Sequence, residues 1–289
     1  MNKNIVKGYI LSIISAVIYG SMPLMADYIY ADGVNSFTLV FLRNFLALPL
    51  LALLAYFKEG SLKISIKEIP KISLISLFGC AITPVLLLSS YNYIASGTAT
   101  VFHFIYPALV VILSMIFFKK KPNLITVISV VLCFTGITQF YNPAEKLNLT
   151  GSILALSSGL ALAIYILLLS GLKTEAKPFT FTFYVVAIGS LIMLIFCLAT
   201  NNLTLPKSLL GAALCLLFAS AVTVGAFATF QQSTFLIGGE KASILSTIEP
   251  ITSVVLGFLF LNEQVSLKII IGCAMVVSAS VLITLFEKK

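Results

Sequence analysis

Apolar positions along this chain fall into long unbroken runs rather than the alternation of a strand or the narrow stripe of a soluble helix. Ten runs stand out, at roughly 8–30, 36–57, 72–94, 99–118, 124–141, 151–171, 179–200, 208–236, 242–261 and 268–286. A helix of about 20 residues at ~1.5 Å rise crosses the hydrocarbon core of a bilayer. Lipid offers the backbone no hydrogen-bond partner, so runs of this length predict transmembrane helices. The pattern therefore predicts an all-α membrane protein of ten spans joined by short polar connectors, with no soluble domain. The first run follows MNKNIVKGYILS without a small-residue cleavage pattern and is expected to be a span rather than a cleaved leader.

The runs repeat. A shift of 143 residues carries Gly8 to Gly151, Ser36 to Phe179, the patch Ser89-Ser90-Tyr91 to Gln232-Ser233-Thr234, and Pro107 to Pro250. Residues 1–143 and 144–289 are then two five-span repeats. Five is odd, so the second repeat must enter the membrane upside down relative to the first. This predicts an inverted repeat about a pseudo-two-fold axis in the membrane plane, a plan suited to alternating access.

Composition agrees with this plan. Hydrophobic residues make up 60% of the chain and charged residues 10%, against about 25% charged in soluble domains. The net charge of +8 does not point to nucleic acid, because the lysines lie in short connectors between apolar runs. With the N-terminus inside, fourteen lysines fall on the cytoplasmic side, and only Lys146, Lys207 and Lys268 fall outside. Both termini are thus expected to be cytoplasmic, in the cell membrane. The five cysteines sit within apolar runs and read as small buried hydrophobes. With one histidine and scattered cysteines, no metal or other cofactor is expected. The pattern leaves the oligomeric state open and is compatible with a monomer surrounded by lipid.

The sequence resembles the drug/metabolite transporter superfamily and, within it, the EamA family. The likeness covers the full length. It rests on the two five-span halves, on Arg43 in FLRNFLALPLLALL, and on the proline-led fourth span IYPALVVILSMIFF. It rests above all on IEPITSVVLGFLFLNEQVSLKIIIGCAMVVSA, with Pro250, Glu263 and Gly272. There are departures. Tyr19-Gly20 stands where many members show Trp-Gly, and the fourth span closes on Lys119-Lys120-Lys121 instead of an acid. The resemblance implies a secondary transporter, proton-coupled or facilitated, for a small polar metabolite such as an amino acid or amine, acting as an exporter. Efflux of drugs or quaternary cations is the alternative within the same family. No Walker A pattern offers direct ATP drive, and no cluster of catalytic groups suggests an enzyme.

Few residues in the spans can carry chemistry. Glu249 lies mid-span, where a charge is costly to insert, and Pro250 follows it. This carboxyl can exchange a proton for a cationic substrate, or can be a structural group held by hydroxyls and an arginine. Tyr106 holds the equivalent place in the first half, before Pro107, and offers a ring face to a cation. Each proline frees a carbonyl and kinks its helix. His103 shares the face of Tyr106 and can relay protons or simply pack. Arg43 must pair or line a water-filled space, which the family pattern favours as structural; a substrate carboxylate is its other possible partner. Asp27, Tyr19, Tyr91, Asn92, Gln231 and Gln232 are candidates for lining the pathway or its mouths. Glu263 reads as a loop carboxylate with a structural role.

Overall fold

The computed structural model describes residues 3–118, 124–139, 148–171, 174–237, 242 and 245–286. Lys119, Lys120, Lys121, Lys146, Lys173, Lys241, Lys288 and Lys289, used above for orientation, lie outside these residues. The described chain is helical. We label its segments α1 (Lys3–Ala31), α2 (Ser36–Phe45 and Leu48–Glu59), α3 (Ile69–Ser76, Leu77–Ile82 and Thr83–Ser90), α4 (Ser96–His103 and Tyr106–Phe118) and α5 (Leu124–Thr138). They continue with α6 (Leu149–Gly171), α7 (Pro178–Ala199), α8 (Leu209–Phe218, Ala219–Phe227 and Ala228–Ile237), α9 (Ile248–Phe260) and α10 (Leu267–Phe286). Among the described residues seven helices, within α1–α4 and α6–α8, are long and apolar enough to cross a membrane. Val127–Thr138, Ile248–Phe260 and Leu267–Ala279 are shorter apolar helices.

The breaks have physical causes. The run expected as one helix over 99–118 is interrupted at Phe104-Ile105, and the run over 242–261 is interrupted at Thr247. Pro107 cannot donate to the carbonyl of His103, four residues back, nor Pro250 to that of Ser246. The two interruptions are 143 residues apart. So are the wide-turned π-helical segments within α3 and α8, Leu77–Ile82 and Ala219–Phe227, which overlap at that spacing. Apolar composition alone gave no sign of these segments. The third run also begins earlier than expected, with a short helical turn at Ile66–Glu68.

Packing follows the same exchange. α1 packs on α8 and α9, while α6 packs on α3 and α4; α2 packs on α7, α4 on α9, and α5 on α10. Swapping the halves leaves this pattern unchanged. α2 and α7 run antiparallel, as the bonds at their two ends show. At one end Asn35 Nδ2 and Thr38 Oγ1 donate to the carbonyl of Asn202 at 2.8 and 2.9 Å. At the other end the Glu59 carboxylate accepts from the amides of Phe179 and Thr180 at 2.7 and 2.9 Å. Glu59 and Asn202 are again 143 residues apart.

Carboxylates tie further helix ends across the halves. Asp32, past the end of α1, accepts from the amides of Lys207 and Ser208 and from Ser208 Oγ at the start of α8. Glu263, past the end of α9, accepts from Ser96 N at 2.6 Å, Ser96 Oγ at 2.7 Å and Gly97 N at 3.2 Å at the start of α4. A carboxylate at a helix N-terminus satisfies free amides and complements the helix dipole. Glu263 therefore has a definite structural role. The five cysteines are free and buried. At Gly136 the α5–α10 approach is close enough that a Cβ would lie 3.0 Å from the carbonyl of Gly272, the kind of contact small residues permit in lipid.

Candidate functional site

The kinked helices and the π-helical segments meet around one cavity of about 130 Å³. Twelve of its lining residues form six pairs at the 143-residue spacing: Tyr19 with Leu162, Met22 with Tyr165, Pro84 with Phe227, Leu87 with Phe230, His103 with Ser246, and Tyr106 with Glu249. Both halves thus contribute the same positions. The polar chemistry is nonetheless unequal, since the counterpart of Tyr106 is Glu249 and that of His103 is Ser246. Arg43, Gly79, Thr83 and Ile166 complete the wall.

Glu249 is half-buried, while Tyr106 and His103 are buried. Tyr19 lies within electrostatic reach of both Glu249 and Arg43, and Tyr106 within reach of Glu249. The backbone of α9 comes close here: a Cβ on Gly20 would sit 2.7 Å from the carbonyl oxygen of Glu249. The glycine of the Tyr19-Gly20 pair is what lets α1 approach α9 at the site.

His103 is held by Ser158. Its Nδ1 is 2.8 Å from Ser158 Oγ, and Ser158 Oγ itself donates to the carbonyl of Ala155 at 2.6 Å. A hydroxyl has one proton to give, so Nδ1 is the donor to Ser158. The basic nitrogen of the neutral ring is then Nε2. The His103 and Tyr106 rings are 5.8 Å apart between centroids.

Arg43, the chain's single arginine, is 5% exposed. The break in α2 at residues 46–47 removes continuous helix beyond it, and Thr223 Oγ1 donates to its carbonyl at 3.0 Å. Its Nε has no hydrogen-bond partner among the described residues, and neither does Thr83 Oγ1. Asn44 Nδ2, next along α2, donates at 2.9 Å to the carbonyl of Cys80, which loses its α-helical donor to Pro84.

The other sequence candidates separate cleanly. Asp27, Tyr91 and Asn92 line a second, polar cavity of about 570 Å³ with Tyr30, Ser96 and Glu263, between the ends of α1, α3 and α9 and the start of α4. Gln231 and Gln232 line neither cavity; Gln231 is buried and accepts from Thr182 Oγ1, joining α8 to α7. Pro107 and Pro250 follow the lining residues Tyr106 and Glu249, just past the interruptions at 104–105 and 247. Sequence reasoning missed Tyr165, Thr83 and Ser246. One of them carried a usable signal, because Ser246 lies one repeat from the candidate His103; Tyr165 lies one repeat from Met22, which was not itself a candidate. Among the described residues no group of histidine, cysteine and carboxylate side chains is placed to hold a metal.

A helical membrane protein with a buried, amphoteric cavity between two halves fits one class of proteins, and comparison with known sequences gives the family. Residues 6–141 and 149–285 each match the profile of the EamA-like transporter family, and the chain belongs to that family, within the drug/metabolite transporters. An uncharacterized transporter of Archaeoglobus fulgidus is 30% identical over 222 residues, covering 74% of this chain and 77% of that protein. The uncharacterized inner membrane transporter YicL of Salmonella typhimurium is 25% identical across 98% of this chain and 97% of its own length. A solved crystal structure superposes with a TM-score of 0.68 over 96% of both chains at 13% identity, a likeness of fold.

Proposed function

We propose that this transporter moves a small polar metabolite, an amino acid or amine, out of the cell by alternating access, coupled to protons or by facilitated exchange. Its ten spans are two inverted five-helix repeats, 1–143 and 144–289, in the cell membrane with both termini cytoplasmic. The observation that carries this reading is the cavity itself. Its wall is built from equivalent positions of both halves, and its only acid among the described residues, Glu249, stands at a helix break. Antiparallel α2 and α7, and separate family matches in the two halves, support the inversion. Rocking of one half against the other would expose such a cavity to each side in turn. Glu249 is the coupling group, able to hold a proton or the cationic end of a substrate. Asp27, Tyr91 and Asn92 form the outer mouth.

The second reading, efflux of quaternary cations, draws on the rings of Tyr19, Tyr106 and Tyr165 around Glu249, a setting for cation–π contacts. Against it stands size. A cavity of about 130 Å³ is below the ~300–1,000 Å³ of sites for drug-sized ligands, which weighs against bulky drug cations and not against small quaternary amines. The deciding experiment is flux in reconstituted vesicles across amino acids, polyamines and quaternary amines, with and without a pH gradient. Movement of amino acids or small amines supports the reading, and movement of none of the panel overturns it.

A further inference from the structure

We propose that Arg43 and Thr83 form an anion subsite that takes the carboxylate of the cargo, while Glu249 takes its ammonium group. The cargo of this cavity is then a zwitterion, an α-amino acid with an apolar side chain. This rests on the transport reading above and narrows it.

Two observations carry the inference. The first is the unpartnered donors. Arg43 and Thr83 are 5% and 7% exposed, both line the cavity, and Arg43 Nε and Thr83 Oγ1 are buried without a hydrogen-bond partner among the described residues. A buried donor left unpaired is unfavourable, and a guanidinium in a membrane protein is more so. The local structure explains why neither is satisfied internally. A threonine within a regular helix commonly turns its hydroxyl back to the carbonyl four residues earlier. Here the π-helical segment shifts the ladder, and the amide of Thr83 bonds the carbonyl of Phe78, five residues back. Asn44, not Arg43, supplies the bond between α2 and this segment of α3. The Nε of Arg43 is therefore not used to hold these helices together.

The second observation is the arrangement of charge. Among the described residues, the one arginine and the one acid of the wall share a single small cavity, and Tyr19 is within reach of both. A bare cation would satisfy Glu249 and leave Arg43 unmatched; a bare anion would do the reverse. A zwitterion satisfies both and adds no net charge to a low-dielectric site. Arg matches carboxylate geometry with two parallel donors, and the Thr83 hydroxyl can add a third. Phe227 and Phe230 give the remaining wall an apolar character suited to an aliphatic or aromatic side chain.

The test is binding to the purified full-length protein, by titration calorimetry and ligand-induced thermal stabilisation. Leucine and phenylalanine are compared with isoamylamine and phenethylamine, which lack the carboxylate. Wild type is expected to bind at least one amino acid about tenfold or more tightly than its amine, because an unmatched polar group in the site is rejected strongly. Arg43→Gln should erase that preference while leaving amine binding within about twofold. Thr83→Val should reduce it severalfold without loss of thermal stability, and decides the matter if the arginine variant does not fold. Equal binding of amino acid and amine by wild type overturns the subsite, as does an equal loss of both ligands in folded Arg43→Gln or an unchanged preference in both variants. Vesicle flux of amines in any of those cases leaves the transport reading standing. Absence of flux for the whole panel removes both.

Discussion

Tyr106 and Glu249 occupy equivalent positions in the two halves, each directly before a proline, and they line the same cavity. The relation makes the two residues comparable and their chemistry different. If Glu249 is the coupling group, removing its charge and keeping its shape should stop proton-linked movement without unfolding the protein. Glu249→Gln is expected to abolish the response of vesicle flux to a pH gradient while the melting temperature stays near that of wild type. Tyr106→Phe should retain the pH response. Undiminished gradient-driven flux in Glu249→Gln would remove the carboxyl from the mechanism.

His103 donates through Nδ1 to Ser158, and so presents Nε2 as its basic atom. If this nitrogen relays protons for the cavity, His103→Ala should change the pH dependence of flux but not its maximum. Ser158→Ala should move the pH profile in the same direction, because it frees the ring to change tautomer. A loss of folded protein in His103→Ala, with no change of profile in Ser158→Ala, would mark the histidine as a packing residue.

Gly20 lets α1 meet the backbone of α9 at Glu249. A methyl group there would lie 2.7 Å from the Glu249 carbonyl oxygen, which cannot swing aside as a side chain could. Gly20→Ala is expected to destabilise the fold by about 1–3 kcal/mol, the range for overpacking a tight contact. It should also reduce flux more than its effect on folding explains, since the displaced atoms belong to the cavity wall. Gly60→Ala serves as the contrast; nothing crowds its Cβ, although its φ of 74° carries backbone strain.

Asp32 gives a pH-dependent prediction outside the membrane. The Ser208 hydroxyl, followed by the amides of Ser208 and Lys207, holds its carboxyl below the ordinary value. A depressed carboxyl stabilises the fold above its unfolded pKa, and the contribution is lost as pH falls through the folded one. Asp32→Asn should therefore melt lower than wild type by an amount that is constant from about pH 7 to 5. The difference should shrink as pH falls past the ordinary 3.8 and below. A difference that persists unchanged at low pH would contradict this role.

Much of this architecture is legible in the chain because lipid imposes a coarse, long-range rule. Apolar runs mark helices, and one constant offset in the sequence aligns Tyr106 with Glu249 and Pro107 with Pro250. Arg43, His103 and Tyr19 stood out for the same reason: polar groups are scarce in spans and must go somewhere. What escaped notice depends on geometry that composition does not encode. Thr83 faces the cavity through a π-helical segment whose residues are ordinary apolar ones. Tyr165 was overlooked because a tyrosine among leucines and isoleucines carries no periodic signal of its own. Gln231 looked like a pathway residue; it lines neither cavity but accepts from Thr182, 49 residues away on another helix, and lies within hydrogen-bonding reach of Tyr165 in the cavity wall. The caps made by Asp32, Glu59 and Glu263 join residues more than 100 positions apart, which no local pattern reveals.

The account rests on two halves set head to tail about one chamber. Single cysteines at Lys63 and Leu205, both exposed, can be introduced into a variant whose five buried cysteines are replaced. Labelling of intact cells with a membrane-impermeant maleimide then reads their sidedness. With inverted halves, position 205 reacts from outside, and position 63 only after the membrane is opened. Reaction of both positions from the same side would make the halves parallel and contradict it.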